Sequence, residues 1–158
     1  MTDRTEPTAF TRPIVDLIDR HGYAGGFVIV LPDYRPELLH GIARAAGLDF
    51  VDFRATVMAR HGAAAGRIPL EALDEWIAAE TAERGLALQN VEALLSTKSP
   101  AERRTWFARF LSTPWQRPVV VPIVIFGVDV PVEMPRALRI EAGSIPEETM
   151  LMRLWSSR

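Results

Sequence analysis

Residues 25–47 read GGFVIVLPDYRPELLHGIARAAG, and the reading of this stretch decides the fold. Phe27 to Leu31 is an unbroken apolar run, the pattern of a strand covered on both faces. Glu37 to Ala46 carries apolar residues at helical spacing and stops at Gly47, so a helix follows the strand. Five residues join them: Pro32, Asp33, Tyr34, Arg35 and Pro36. A phosphate-binding loop at such a point needs glycines that let backbone N–H groups close on phosphate, a lysine for charge, and a serine or threonine hydroxyl for magnesium. This loop has none of the three, and its two prolines each remove a donor. What remains is the bare N-terminus of the helix with Arg35 beside it, which attracts an anion weakly. The plain alternative is a turn through Asp33 and Pro36 that starts the helix.

Outward from this stretch, strand and helix patterns alternate. TRPIVDLIDRHG, ahead of it, spaces Ile14, Val15, Leu17 and Ile18 along a helix with Thr11 as cap and Gly22 as stop. LDFVDFRA reads as a second strand containing Leu48, Phe50, Val51 and Phe53, and RHGAAAGR, residues 60–67, as a flexible surface loop. IPLEALDEWIAAETAERG is a helix with Leu70, Leu73, Trp76 and Ile77 on one face and Gly85 as its stop. LALQNVEALL reads as a third strand running into a turn. SPAERRTWFARFLSTPW is a helix with Ser99, Pro100 and Glu102 in a capping-box pattern. RPVVVPIVIFGVDVP reads as a fourth strand with Pro122 at a bulge, RALRIEAG as a fifth, and IPEETMLMRLW as a last helix. The expected fold is a three-layer α/β/α sandwich on a mainly parallel sheet of four to five strands. Residues 1–10 form a flexible lead to a single domain, 11–158. Ligands of such sheets sit beyond the carboxyl ends of the strands, which singles out loops 32–36, 54–66, 89–99 and 127–135.

A P-loop enzyme ends its third strand in an acid that holds magnesium. Here that strand ends Gln89, Asn90, Val91, Glu92; Asn90 stands where an aspartate belongs, and Glu92 is the nearest carboxylate. VLPDYRPELLHGIARAAGLDFVDF nevertheless keeps the register of a P-loop start in Leu38, Leu39, Ile42, Ala43 and Gly47, with the phosphate loop shortened and replaced. LALQNVEALLSTKSPAERRTWFARFLSTPWQRPVVVPIVIF looks like the later part of an AAA-type core, with the acidic strand, a helix, and a strand in the sensor position. Over residues 25–141 the chain therefore resembles a degenerate P-loop NTPase without its two nucleotide motifs. Among proteins of this size it is most similar to the small P-loop-like proteins of bacteriophage exclusion defence systems. The resemblance implies a pseudo-NTPase that serves as a subunit or adaptor in a larger, anti-phage assembly, with no cofactor. Asp33, Tyr34, Arg35, Asn90 and Glu92 are its candidate ligand-binding residues. The alternative is an enzyme that holds a phosphate-bearing substrate between Asp33, Arg35, Asn90 and Glu92.

Other chemistries find little support in the 158 residues. There is no cysteine, which removes thiolate catalysis, disulfides and cysteine zinc sites. His21, His40 and His61 have neither helical pairing nor an H-E-x-x-H motif, and no G-x-S-x-G elbow surrounds Ser96 or Ser99. The net charge of -2 gives no global field for nucleic acid. No apolar run approaches the roughly 20 residues of a membrane span, so a cytoplasmic protein is expected. The cations are 17 arginines and one lysine, Lys98, a bias that a GC-rich genome explains without function. One cluster stands out, Arg103, Arg104, Trp106, Phe107, Arg109 and Phe110, a helix face that reads either as amphipathic packing rimmed by arginines or as a partner surface. A nucleic-acid backbone is the less favoured occupant of that surface. Arg103, Arg104, Trp106, Arg109 and Trp115 are the candidate contact residues, with Trp155 as a further anchor, and a homo-oligomer is possible. Lys98 is no phosphate-loop lysine, so Lys98→Ala is expected to leave any nucleotide affinity unchanged by titration calorimetry.

Overall fold

The computed structural model describes residues 3–146; all but the first two residues of the helix expected at 145–155, Trp155 included, lie outside them. Helix α1 (Arg12–Arg20) leads into strand β1 (Gly25–Val30), helix α2 (Pro36–Ala46) and strand β2 (Asp49–Asp52). A one-turn helix α3 (Phe53–Thr56) and a 3-10 segment, Met58–Arg67, follow, then helix α4 (Leu70–Thr81) and strand β3 (Leu86–Gln89). The short helix α5 (Val91–Leu95) and helix α6 (Pro100–Ser112) precede strands β4 (Pro118–Ile123) and β5 (Ala137–Arg139). All strands are parallel, in the order β2-β3-β4-β1-β5. The expected three-layer α/β/α architecture is the one observed.

The strand alternation sorts the core into two layers. Phe27, Ile29, Ala87 and Val120 face α1 and α2, where they meet Ile14, Ile18, Leu39 and Ile42. Val28, Leu86, Leu88, Val119 and Val121 face α4 and α6, where they meet Leu73, Ile77, Trp106, Phe107 and Phe110. Every residue of β1, β3 and β4 is buried, which is why these strands read as continuous apolar runs rather than alternating ones. Gly26 lets α6 lie close on β1, because a Cβ there would stand 2.7 Å from the Phe110 carbonyl oxygen. Gly47 ends α2 in the left-handed region at φ 72, the conformation that costs glycine least.

Four local readings change. Phe53 starts α3 instead of extending β2, because the Asp52 carboxylate accepts a hydrogen bond from the Ala55 N–H at 3.1 Å and caps the turn. Residues 60–67 lie within the 3-10 segment, kinked at Gly62 with φ 52. Pro122 sits in unbroken register with Ile29, with no bulge. Leu31 donates its N–H to the Ile123 carbonyl, so Ile123 and its alternate neighbours face β1 and Pro122 turns toward β3. Pairing with β3 ends at Ala87 and Val120, so the missing donor of Pro122 interrupts no ladder. Finally, the stretch expected to be a flexible lead packs on the domain: Arg4 pairs with Asp19 at 2.9 Å, Thr5 donates its N–H to the Arg44 carbonyl, and Phe10 is buried.

The Arg4 guanidinium, hydrogen-bonded to Asp19, holds that carboxyl below its ordinary value. The stability this contributes is present above the unfolded carboxyl value of about 3.9 and is lost as pH falls through the lower folded value. Arg4→Ala is expected to raise the Asp19 midpoint in an NMR titration and to increase amide exchange at Thr5.

Candidate functional site

The strand order places β4 between β1 and β3, with the helix after β1 on one face and the helix before β4 on the other. The loop leaving β1 and the end of β3 therefore meet at a topological switch point beyond the carboxyl ends of the strands. A crevice lies there, lined by Leu31, Tyr34, Arg35 and Leu39 on one side, Gln89, Asn90 and Glu92 on another, and Pro122 and Val124 at its floor. Tyr34, Arg35, Asn90 and Glu92, singled out from the sequence, are brought together. Asp33 is exposed and does not line it.

The polar groups of this crevice are largely committed to the protein itself. Arg35 donates from Nε to Glu37 Oε1 and from Nη2 to the Pro146 carbonyl, each at 2.9 Å. Glu92 accepts three successive backbone N–H groups, from Val124 and Ile125 at 2.7 Å and from Phe126 at 2.9 Å. A carboxylate so used is the hub of the loop that follows β4. Asn90, at φ 67, is a non-glycine residue in the left-handed region, a conformation asparagine tolerates better than most. Its Nδ2 donates to Asp52 Oδ2 at 3.0 Å, and its Oδ1 accepts from Gln89 Nε2 at 3.4 Å.

That chain of contacts fixes how the Gln89 amide faces. Asp52 is acceptor-only as a carboxylate, so Asn90 must present its NH2 to it and its oxygen to Gln89. Gln89 Oε1 is left as a buried acceptor with no partner among the described residues. The crevice encloses about 30 Å³. Space of that size admits a water molecule, whereas sites for small organic ligands run from roughly 300 to 1,000 Å³. Lys98, far from this point, donates its Nζ to the Ile68 carbonyl at 2.6 Å. Among the described residues no group of three or more histidine, aspartate or glutamate side chains could hold a metal ion.

The second candidate region divides. Trp106 is fully buried and donates its Nε1–H to Asp74 at 2.8 Å. Trp115 is buried and donates to the Phe110 carbonyl at 3.1 Å. Neither side chain is offered to a partner, which corrects their reading as contact anchors. The apolar side of α6 is needed to cover β1 and β4, and the two indoles complete that cover. Arg103 is also turned inward: its Nε bonds the buried Asp129 at 2.8 Å, its Nη1 bonds the Lys98 carbonyl at 2.6 Å, and it stacks 4.1 Å from the Phe126 ring centre. Arg104 and Arg109 remain at the surface, paired with Asp129 at 3.4 Å and Asp74 at 2.8 Å. The aromatic side of this helix packs on the sheet, and of its arginines Arg104 and Arg109 stand at the rim.

Asp52 is not singled out by the sequence, and Asp129 and Gln89 fall within the loops 127–135 and 89–99 without a role of their own. An acid in a loop and a glutamine closing a strand carry no pattern of their own; they become conspicuous only through burial and a fixed partner. The exposure of Ile125 is not legible either, because its run reads as the tail of a strand, while the exposed Val128 and Val132 fall in the loop 127–135 without being named.

Glu92→Gln keeps the length and one acceptor while removing the charge. It is expected to cost about 2 kcal/mol in chemical denaturation, the scale of hydrogen bonds to an ionised group, and to speed amide exchange at Val124, Ile125 and Phe126 selectively. No family model, no curated protein and no solved structure matches the chain.

Proposed function

We propose that this chain is a non-catalytic binding module on an NTPase-like core, a subunit or adaptor that acts through contacts with other proteins. The observation that carries this reading is the switch-point crevice. Where a P-loop enzyme keeps a phosphate loop and an acid free for magnesium, this protein has about 30 Å³ and spends Glu92, the carboxylate of the crevice lining among the described residues, on three backbone N–H groups. The enzyme alternative requires Asp33, Arg35, Asn90 and Glu92 to be free and convergent. Asp33 lies outside the crevice lining, and the other three have intramolecular partners.

The apolar surface supports the same reading. Tyr34 in the loop after β1 and Ile125, Val128 and Val132 in the segment after β4 are exposed. Three of the four fall on the single segment 125–132, and exposed apolar groups concentrated in this way mark contact surfaces. A fold whose chemistry is gone can be retained for its surface. Defence against bacteriophage is the setting that the resemblance to exclusion-system proteins suggests for such a subunit.

Isothermal titration of ATP with magnesium is expected to give no heat, and a thermal-shift scan of phosphorylated ligands no change in Tm. Micromolar binding abolished by Arg35→Ala would overturn the proposal, since it would mean that the Arg35 loop opens to hold phosphate.

A further inference from the structure

We propose that this protein associates head to tail with copies of itself, the loop after β4 of one copy seating in a groove beside α4 of the next. The inference rests on the binding-module reading, whose exposed segment 125–132 it uses, and does not depend on whether a nucleotide enters the crevice.

The loop is a built projection. Ile125 is 72% exposed, Val128 90% and Val132 41%, so three aliphatic side chains stand in water on one segment, 125–132. The segment is nonetheless held firmly. Glu92 takes the N–H groups of Val124, Ile125 and Phe126, Asp129 is pinned to Arg103, and the Asp129 and Val130 N–H groups close turns onto the Phe126 and Gly127 carbonyls. Gly127 packs so closely on Val30 that a Cβ would stand 2.9 Å from it. An apolar segment already ordered in its displayed conformation loses little further entropy on binding.

The same chain carries a receptor for such a projection. A groove of about 470 Å³ lies between the 3-10 segment Met58–Arg67 and α4, with Phe53, Val57, Ala72, Leu73 and Trp76 among its walls. Its ionisable lining groups are His61 and Arg67, and Arg67 has no ion pair among the described residues. Glu133 is exposed beside Val132 on the projecting segment, so the edge of the projection carries one carboxylate opposite in sign to Arg67 of the groove. Projection and groove also lie toward opposite flanks of the sheet. The first packs on β1, next to β5; the second follows β2, the strand at the other edge. Two complementary surfaces at different places on one molecule make a heterologous contact, which propagates from copy to copy and ends only if the rotation closes a ring.

Size-exclusion chromatography with light scattering tests this on the full chain. The wild-type mass is expected to rise with concentration above the 17.6 kDa of one chain. Val128→Asp and Ala64→Glu alter exposed positions, one on the projection and one on the groove. Each is expected to return the mass to one chain while leaving the circular dichroism spectrum unchanged. Mixed in equal amounts they are expected to form a complex of two chains and no more, because one variant retains a working groove and the other a working projection. A wild-type chain that stays single at every concentration overturns the proposal, whether its own residues 147–158 or another protein covers the projection. So does a dimer that Ala64→Glu leaves intact, or a mixture that does not pair. Because no nucleotide enters these measurements, their failure leaves the reading of the crevice untouched, and nucleotide binding would leave this one untouched.

Discussion

One carboxylate ties the carboxyl end of this sheet together. Glu92, in the first turn after β3, accepts the N–H groups of Val124, Ile125 and Phe126 and thereby fixes the segment that leaves β4. Strands β3 and β4 are neighbours, so the clamp joins their two ends at the point where the fold would otherwise leave a binding crevice open. Three backbone donors that would have needed water or a ligand are satisfied from within. The small volume of the crevice and the rigid display of the following loop both depend on this use of Glu92.

The other ionic contacts repeat the pattern on a smaller scale. Asp129 is buried and gains Arg103 at 2.8 Å and Arg104 at 3.4 Å. Asp74 takes both the Trp106 indole N–H and Arg109. Each acid joins α6 to another element, Asp129 to the loop after β4 and Asp74 to α4. A buried acid whose partner is removed costs more than the pair contributes, so these contacts fix the position of α6 more than they add stability. Of the arginines of α6, conspicuous in the sequence, Arg103 and Arg104 pair with the loop after β4 and Arg109 with helix α4.

The candidate site was legible in part. Arg35, Tyr34, Asn90 and Glu92 were found because a strand-loop-helix pattern identifies the carboxyl ends of strands, whatever residues occupy them. Their partners were not legible, since Glu37, Pro146, Asp52 and the backbone of 124–126 approach them only through the strand order. The largest change concerned Trp106 and Trp115. A helix containing arginines and aromatics has the same spacing whether its aromatics meet a sheet or a partner, and only the seating of α6 against β1 at Gly26 decides which.

The sequence by itself determined the alternation of strands and helices, the parallel sheet buried on both faces, the capping box at Ser99 and Glu102, and the lack of a phosphate loop. These are local matters: hydrophobic period, turn residues and the chemistry of five consecutive side chains. The tertiary structure alone decided that β4 enters between β3 and β1, that Glu92 closes the crevice, and that Ile125 and Val128 are left outside. Those outcomes depend on contacts between residues more than thirty positions apart, and a one-dimensional pattern has no term for which distant backbone donor a carboxylate will meet.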